Sequence, residues 1–226
     1  MIGLPAADFL LVLLWGTLAG MDLVSVPQML ISRPIVAGTV AGWLLGDLEG
    51  GARIGVLLEL FALDVLPVGA SRYPDYGPAA VGAAALVAGQ PWDRLLAPAA
   101  ALGLGMAIVG GWTLLWLRHA NARSLQERTA ALAAGEAGAF RALQYAGLFR
   151  DGVRSLLLTA VALLLALAAR GLPFAAQPGF ILAGRIAIAA GLAAAVGGAL
   201  RNAGRDVRLR WLGIGAAVGM LWLLAT

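Results

Sequence analysis

A carboxylate in a stretch with almost no other polar atom is the strongest chemical signal in this chain. Glu59 stands in Val56-Leu-Leu-Glu-Leu-Phe-Ala-Leu63, apolar on both sides. A charge kept away from water is costly, so an acid in such a run is expected to serve function. Its lone pairs can accept hydrogen bonds from the hydroxyls of a polar solute. The competing reading is structural: a partner for Arg33 or Arg53, or for a backbone donor. Asp22 and Gln28 flank a break expected near Pro27 and are further candidate hydroxyl ligands, although an interfacial position would explain them equally well. Asp47 and Asp75 complete the set of candidate ligands. Asp64 is five residues beyond Glu59 and therefore off its helix face.

Other chemistries lack their residues. There is no cysteine, and His119 is the single histidine, so thiolate, zinc and His-cluster sites are excluded. No Walker-type loop or Ser/His/Asp set is present. No metal and no cofactor is expected. His119 has no second catalytic group converging on it, which argues against a phosphoryl acceptor.

The elements that hold these acids are set by a lipid solvent. Of 226 residues, 61% are hydrophobic and only 12% charged, with a mean hydropathy of +0.88. Soluble domains carry about 25% charged residues. A spanning helix needs about 20 apolar residues, so the chain is expected to be an all-α polytopic membrane protein with about six to eight hydrophobic helices. The apolar start at Phe9 has no basic residue before it, and no removed signal peptide is expected. Apolar runs lie at roughly Phe9–Val26, Pro34–Leu45, Ile54–Val68 and, more weakly, Ala79–Gly89, and full spans are expected at Leu95–Leu117, Val153–Ala169, Phe180–Leu200 and Leu209–Ala225. Residues 118–151 carry five arginines and are expected to form an amphipathic segment outside the bilayer, dividing the chain into regions 1–117, 118–151 and 152–226. All sixteen cationic side chains are arginines. Their concentration in 118–151 and 201–210 fits membrane orientation, with both loops cytoplasmic, rather than nucleic-acid binding. Trp112, Trp116, Trp211 and Trp222 fit an interfacial aromatic belt, and Arg185 is expected to snorkel.

The run Pro34–Asp47 would be about 21 Å long as a helix, short of a hydrocarbon core of about 30 Å. Ala52–Leu66 is similarly short. Two short helices joined through the polar segment Gly46-Asp-Leu-Glu-Gly-Gly51 suggest a re-entrant hairpin or broken helices, tolerated at depth only inside protein or beside a cavity. Gly42, Gly46, Gly51 and Gly55 would permit the tight hairpin.

The stretch Asp22–Asp75 resembles the N-terminal signature of the sorbose-type IIC family of phosphotransferase systems. The matching residues are Ser32-Arg-Pro-Ile-Val-Ala-Gly38, Gly42, Leu45-Gly-Asp47, Gly51, Gly55, Leu58-Glu-Leu60, Pro67-Val-Gly-Ala70 and Pro74-Asp75. The resemblance implies a permease in the bacterial inner membrane that binds and passes a hexose-like sugar together with a IID membrane subunit, in trimeric assemblies. It implies no enzyme activity of the chain's own: soluble IIA and IIB components carry the phosphate, and 118–151 is a candidate docking surface for IIB. Family members usually continue beyond the position of Thr226, and Asp64 and Arg72-Tyr73 are atypical. A non-transporting scaffold or receptor subunit and a facilitator uncoupled from phosphorylation are the rival functions.

Overall fold

The computed structural model describes residues 5–26, 28–65, 72–173, 177, 179–201 and 203–225. The signature residues 67–70 lie outside the described residues. Among those described there are nine helices and no strand: α1 (Ala6–Asp22), α2 (Pro34–Leu44), α3 (Leu48–Ala62), α4 (Tyr76–Val87), α5 (Trp92–Glu127), α6 (Thr129–Ala133), α7 (Ala137–Arg170), α8 (Gly179–Ala199) and α9 (Arg205–Ala225).

The helix α4 is the axis of the molecule. Every residue from Gly77 to Val87 is buried, and α1, α2, α3, α5 and α7 all pack on it. Its run of alanine and glycine makes this possible, since small side chains let several backbones close on one helix. A Cβ on Gly77 would meet the Ala19 carbonyl oxygen at 2.9 Å, and one on Gly82 would meet Ala162 Cβ at 2.6 Å. Some large side chains fill the core, among them Ile54, Leu58, Leu86 and Leu163, but many others point outward. Leu14 and Leu18 on α1, Ile108 and Trp112 on α5, and Leu157 and Leu164 on α7 are all exposed. A small-residue core inside a leucine-rich exterior is what a lipid solvent permits, because burying leucine there gains little. Three helices, α5, α7 and α8, are long and apolar enough to cross a membrane. The chain is thus a polytopic α-helical membrane protein, with the short α4 enclosed by its neighbours and α2 packed on α3 and α4 with an outer face at Ile35 and Trp43.

Two sequence expectations change in detail. The turn of the hairpin is only Leu45-Gly46-Asp47; Gly50 and Gly51 already belong to the first turns of α3. The reason is Asp47, whose Oδ1 accepts from Gly50 N at 2.9 Å and caps the helix there. Gly46 supplies the left-handed turn residue, at φ +75°. The second change concerns 118–151. Its residues are largely helical, and they continue the neighbouring helices: α5 runs unbroken through 117/118 and α7 through 151/152, with α6 between them. At 36 residues, α5 is about 54 Å long, well over the roughly 30 Å of a hydrocarbon core. Uninterrupted hydrogen bonding between apolar and charged halves costs less than ending and restarting a helix at the interface.

Neighbouring helices fix the chain's alternation. Asp47 Oδ2 accepts from Gly89 N at 3.0 Å, which puts the hairpin tip beside the C-terminal end of α4. Gly184 of α8 lies against Asp93 and Leu96, and Gly198 against Leu63 and Asp64, so α3, α5 and α8 run in one direction. Arg201 pairs with Asp64 at 2.6 Å. The two arginine-rich connections therefore share one end, and the α2–α3 tip and Arg170 share the other. Trp112, Trp116 and Trp211 are exposed, as is Arg185 on α8.

The hairpin depends on backbone contact. A Cβ on Gly51 would lie 2.5 Å from Gly38 O and 2.6 Å from Gly42 Cα. Gly51→Ala should therefore destabilise the protein by about 1–3 kcal/mol despite alanine's better helix propensity. Gly105→Ala, at a position with open space, should be neutral or mildly stabilising. Thermal melts in detergent check the pair, and equal melting temperatures would disprove the tight approach.

Candidate functional site

The polar residues of the bundle interior gather around one side chain. Arg154 lies on α7 and is only 5% exposed. Its Nε donates to Asp151 Oδ1 at 2.7 Å. Nη1 donates to Asp75 Oδ2 at 2.7 Å and to Thr113 Oγ1 at 3.3 Å. Nη2 donates to Gly20 O and to Ser155 Oγ, both at 3.1 Å. All five N–H groups of the guanidinium are thereby engaged. Asp75 and Asp151 are fully buried, and Ser25 donates its hydroxyl to Asp151 Oδ2. One cation thus ties together α1, the loop after it, the entry to α4, α5 and α7.

Local features place each partner. The segment Tyr73–Asp75 lies on a glycine step of α5: Asp75 N donates to Ala107 O at 2.9 Å, and a Cβ on Gly110 would meet Asp75 Cβ at 2.7 Å. Gly16 and Gly20 on α1 face Thr159 and Ser155 on α7, two helical turns matched glycine to hydroxyl. The cluster holds two carboxylates and one guanidinium. Asp75 Oδ1 is buried and makes no hydrogen bond of good geometry, the Gly77 N–H in the first turn of α4 being the backbone donor turned toward this carboxylate. An acceptor left this way is costly unless something else donates to it.

Four of the five candidate ligands come to the same end of the bundle. Asp22 is buried and holds the loop that follows α1, accepting from Met29 N at 2.7 Å and from Ser32 N at 3.1 Å. Within that loop Leu30 takes φ +65°, a left-handed conformation costly for leucine. Gln28 is exposed and donates to Leu23 O at 3.2 Å. Glu59 accepts from the Arg33 guanidinium and from Ile35 N at 3.3 Å, the structural pairing that its neighbours allowed. Asp75 sits in the charge cluster. Between these loops lies a small cavity of about 50 Å³ lined by Ser32, Arg33, Pro34, Tyr73, Pro74 and Tyr76, among others. It has room for a few waters, far below the roughly 300 Å³ at which small-ligand pockets begin. Asp47 stands at the opposite end, with both oxygens used in capping α3 and fastening it to α4. The candidate hairpin glycines Gly42, Gly51 and Gly55 lie at the α2–α3 contact. His119 makes a 2.7 Å hydrogen bond to Leu115 O of its own helix. No group of three or more metal-ligating side chains occurs among the described residues.

The residues missed by reading the sequence are Arg154 and Asp151. Both stand at the seam between the arginine-rich segment and the apolar run that follows, where they read as loop charges. Two signals point to them: the Asp151–Arg154 i,i+3 spacing, and the Ser155/Thr159 pair matching Gly16/Gly20.

A family model described as the PTS system sorbose-specific IIC component matches residues 6–202. Two curated proteins, each described as a PTS system sorbose-specific EIIC component, are similar. The one from Klebsiella pneumoniae is 40% identical over 76 residues, 34% of this chain and 28% of the relative. The one from Lacticaseibacillus casei is 26% identical over 131 residues, 56% of this chain and 47% of the relative. The matched segments thus span less than half of either relative. Among solved structures, one described as a membrane protein aligns over 99% of this chain and 94% of its own, with a TM-score of 0.68 and 22% identity. A chain from the complex of the mannose transporter ManYZ with microcin E492 aligns over 95% and 87%, with a TM-score of 0.61 and 22% identity.

Removing Arg154 would strand two buried carboxylates. Arg154→Gln should cost about 3–5 kcal/mol, read as a lower melting temperature in detergent. Adding Asp75→Asn and Asp151→Asn to the same chain should restore much of the loss. An unchanged melt for Arg154→Gln alone would show that the clamp does not hold the bundle together.

Proposed function

The chain belongs to the sorbose-specific IIC family of phosphotransferase-system membrane components, and we propose from this that it is the sugar-translocating subunit of a mannose/fructose/sorbose-type system. In this reading it lies in the bacterial cytoplasmic membrane with its arginine-rich end inside. It works with a IID membrane subunit, as a higher oligomer, on a hexose-like sugar. Soluble components carry the phosphate, and the projecting ends of α5 and α7 with α6 offer a docking surface to IIB. The chain itself contributes binding and passage.

The observation that carries this reading is the buried carboxylate of Asp75, whose Oδ1 makes no hydrogen bond of good geometry, in the segment whose Tyr73, Pro74 and Tyr76 line the small cavity that Asp75 itself lies behind. A sugar hydroxyl can donate to that oxygen and relieve the desolvated acceptor. Arg154 supports the role by holding the other oxygen, so Oδ1 stays oriented without reorganisation. The cavity must widen to admit a hexose. Its wall includes Arg33, whose guanidinium is paired with Glu59. Opening that pair enlarges the cavity and frees both charges for sugar hydroxyls. Asp22 and Gln28 flank the same opening from the loop after α1. Asp47 is assigned no sugar contact, because its oxygens are spent at the far end.

Sugar binding and uptake by the reconstituted chain with a IID partner test this. Asp75→Asn should raise the sugar dissociation constant about tenfold or more, in line with loss of a charged acceptor, in protein that still melts cooperatively. Glu59→Gln should lower uptake, and Asp47→Asn should leave affinity unchanged. Wild-type affinity in Asp75→Asn would remove that residue from the sugar path.

A further inference from the structure

A groove on the outside of the bundle has the dimensions of one lipid leaflet. It runs between α5 and α7, holds about 530 Å³, and is lined by Met106, Val109 and Trp116 on one side and Phe149, Val153 and Leu157 on the other. The lining positions 106, 109, 113 and 116 on α5 and 150, 153, 154, 157, 158 and 161 on α7 follow helical three-and-four spacing, so they form two facing stripes. From residue 150 to residue 161 the groove is about 16 Å long at 1.5 Å per residue. That is about half of a 30 Å hydrocarbon core. A transmembrane helix from a partner would need a seat across the whole core, whereas an acyl chain needs only its own leaflet.

The groove wall is almost wholly apolar, and its charged boundary lies at one end, where Arg150 also borders the neighbouring cavity lined by Asn121 and Gln144. Arg150 lies there, oriented by hydrogen bonds from Nη1 to Asn121 Oδ1 at 3.0 Å and from Nη2 to Ser124 Oγ at 2.8 Å. Both partners are neutral, and no carboxylate among the described residues pairs with it. The nearby Asp151 is committed to Arg154 and Ser25. Two fixed hydrogen bonds leave three N–H donors of a planar fork that suits phosphate geometry. Trp116 and Phe149, 63% and 73% exposed, flank this end at the depth where aromatic rings meet headgroups. Arg123, further along α5, adds positive charge on the same end.

We propose that this groove binds one anionic phospholipid of the leaflet on the arginine-rich side. The lipid phosphate sits on Arg150, and one acyl chain lies between α5 and α7. Arg154 and Thr113 form part of the groove floor, so a bound chain also covers the outer wall of the buried charge cluster and keeps water from it.

Native mass spectrometry of the purified chain, stripped of lipid and titrated with phosphatidylglycerol or phosphatidylethanolamine, tests the proposal. The expected result is one tightly held phosphatidylglycerol per chain, with phosphatidylethanolamine about tenfold weaker. Arg150→Gln should weaken phosphatidylglycerol about tenfold, matching loss of a charge-assisted contact, while Arg150→Lys should retain part of the affinity. Leu157→Trp, which fills the groove but leaves the headgroup site, should also displace the lipid, and its melting curve reports folding independently. Arg141→Gln, away from the groove lining, should bind as wild type. Equal binding of the two lipids, unaltered binding in Arg150→Gln and Leu157→Trp, or a dimer that dissociates in Leu157→Trp would each overturn the assignment.

Discussion

The fold is organised by a fully engaged guanidinium in a place that water does not reach. Arg154 uses every N–H it has, and its acceptors are drawn from separate parts of the chain: α1 through Gly20, the entry to α4 through Asp75, α5 through Thr113, and α7 itself through both Asp151 and Ser155. Apolar packing alone gives weak direction in lipid, because leucine in a helix interface and leucine against an acyl chain are nearly equivalent. A buried charge with fixed geometry is much more selective, since misplacing any one partner leaves an ion or a carbonyl unsatisfied. The register of α1, α4, α5 and α7 follows from that demand. The glycines opposite Ser155, Thr159 and Asp75 are the steric condition for meeting it.

The short helices follow from the same logic. At 11, 15 and 12 residues, α2, α3 and α4 are each too short to cross about 30 Å of hydrocarbon. Their ends must leave backbone groups within the membrane zone. The structure meets that demand with side chains: Asp22 accepts from the loop before α2, Glu59 from the start of α2, and Asp47 from the start of α3 and the residue after α4. Arg170 donates to Ala88 O at the C-terminal end of α4. Three of the acids that look like ligands in the sequence are therefore also what makes interrupted helices tolerable at depth.

This explains how much could be read before the structure. The α2 start at Pro34, the glycine contacts and the shortness of the hairpin follow local rules, in which proline at the first helical position and glycines four apart carry their meaning in the chain itself. The polytopic class follows from composition. The charge cluster does not, because Asp75 and Arg154 are 79 residues apart and their pairing exists only once α4 and α7 pack together. Arg154 stands one turn beyond Arg150, and nothing in the spacing says that the first turns inward while the second faces the boundary. Glu59 shows the converse limit. Its apolar flanks marked it correctly as unusual, but its partner Arg33 stands at the far end of α2, close only after the hairpin folds.

The position of the cluster constrains any passage through the bundle. Sixteen residues of α7 separate Arg154 from Arg170, about 24 Å of helix. Over that distance the interior is the fully buried α4 and the helices pressed on its alanines and glycines. Interiors packed this way have two discrete arrangements rather than a continuous range of openings. In the proposed role, a solute held at Asp75 would stand about 24 Å of helix from the end marked by Arg170. The step that exposes it to the far side must move a packed unit as a whole. The α2–α3 hairpin is the natural unit, because its internal contact is backbone to backbone at Gly38, Gly42, Gly51 and Gly55. Its fastenings to the rest include Trp15 to Ala37 O, Asp47 to Gly89 N and, just past α3, Asp64 to Arg201, besides its packing on α4. In the proposed role a rigid pair of this kind would exchange those ties as a unit and carry Glu59 along with it.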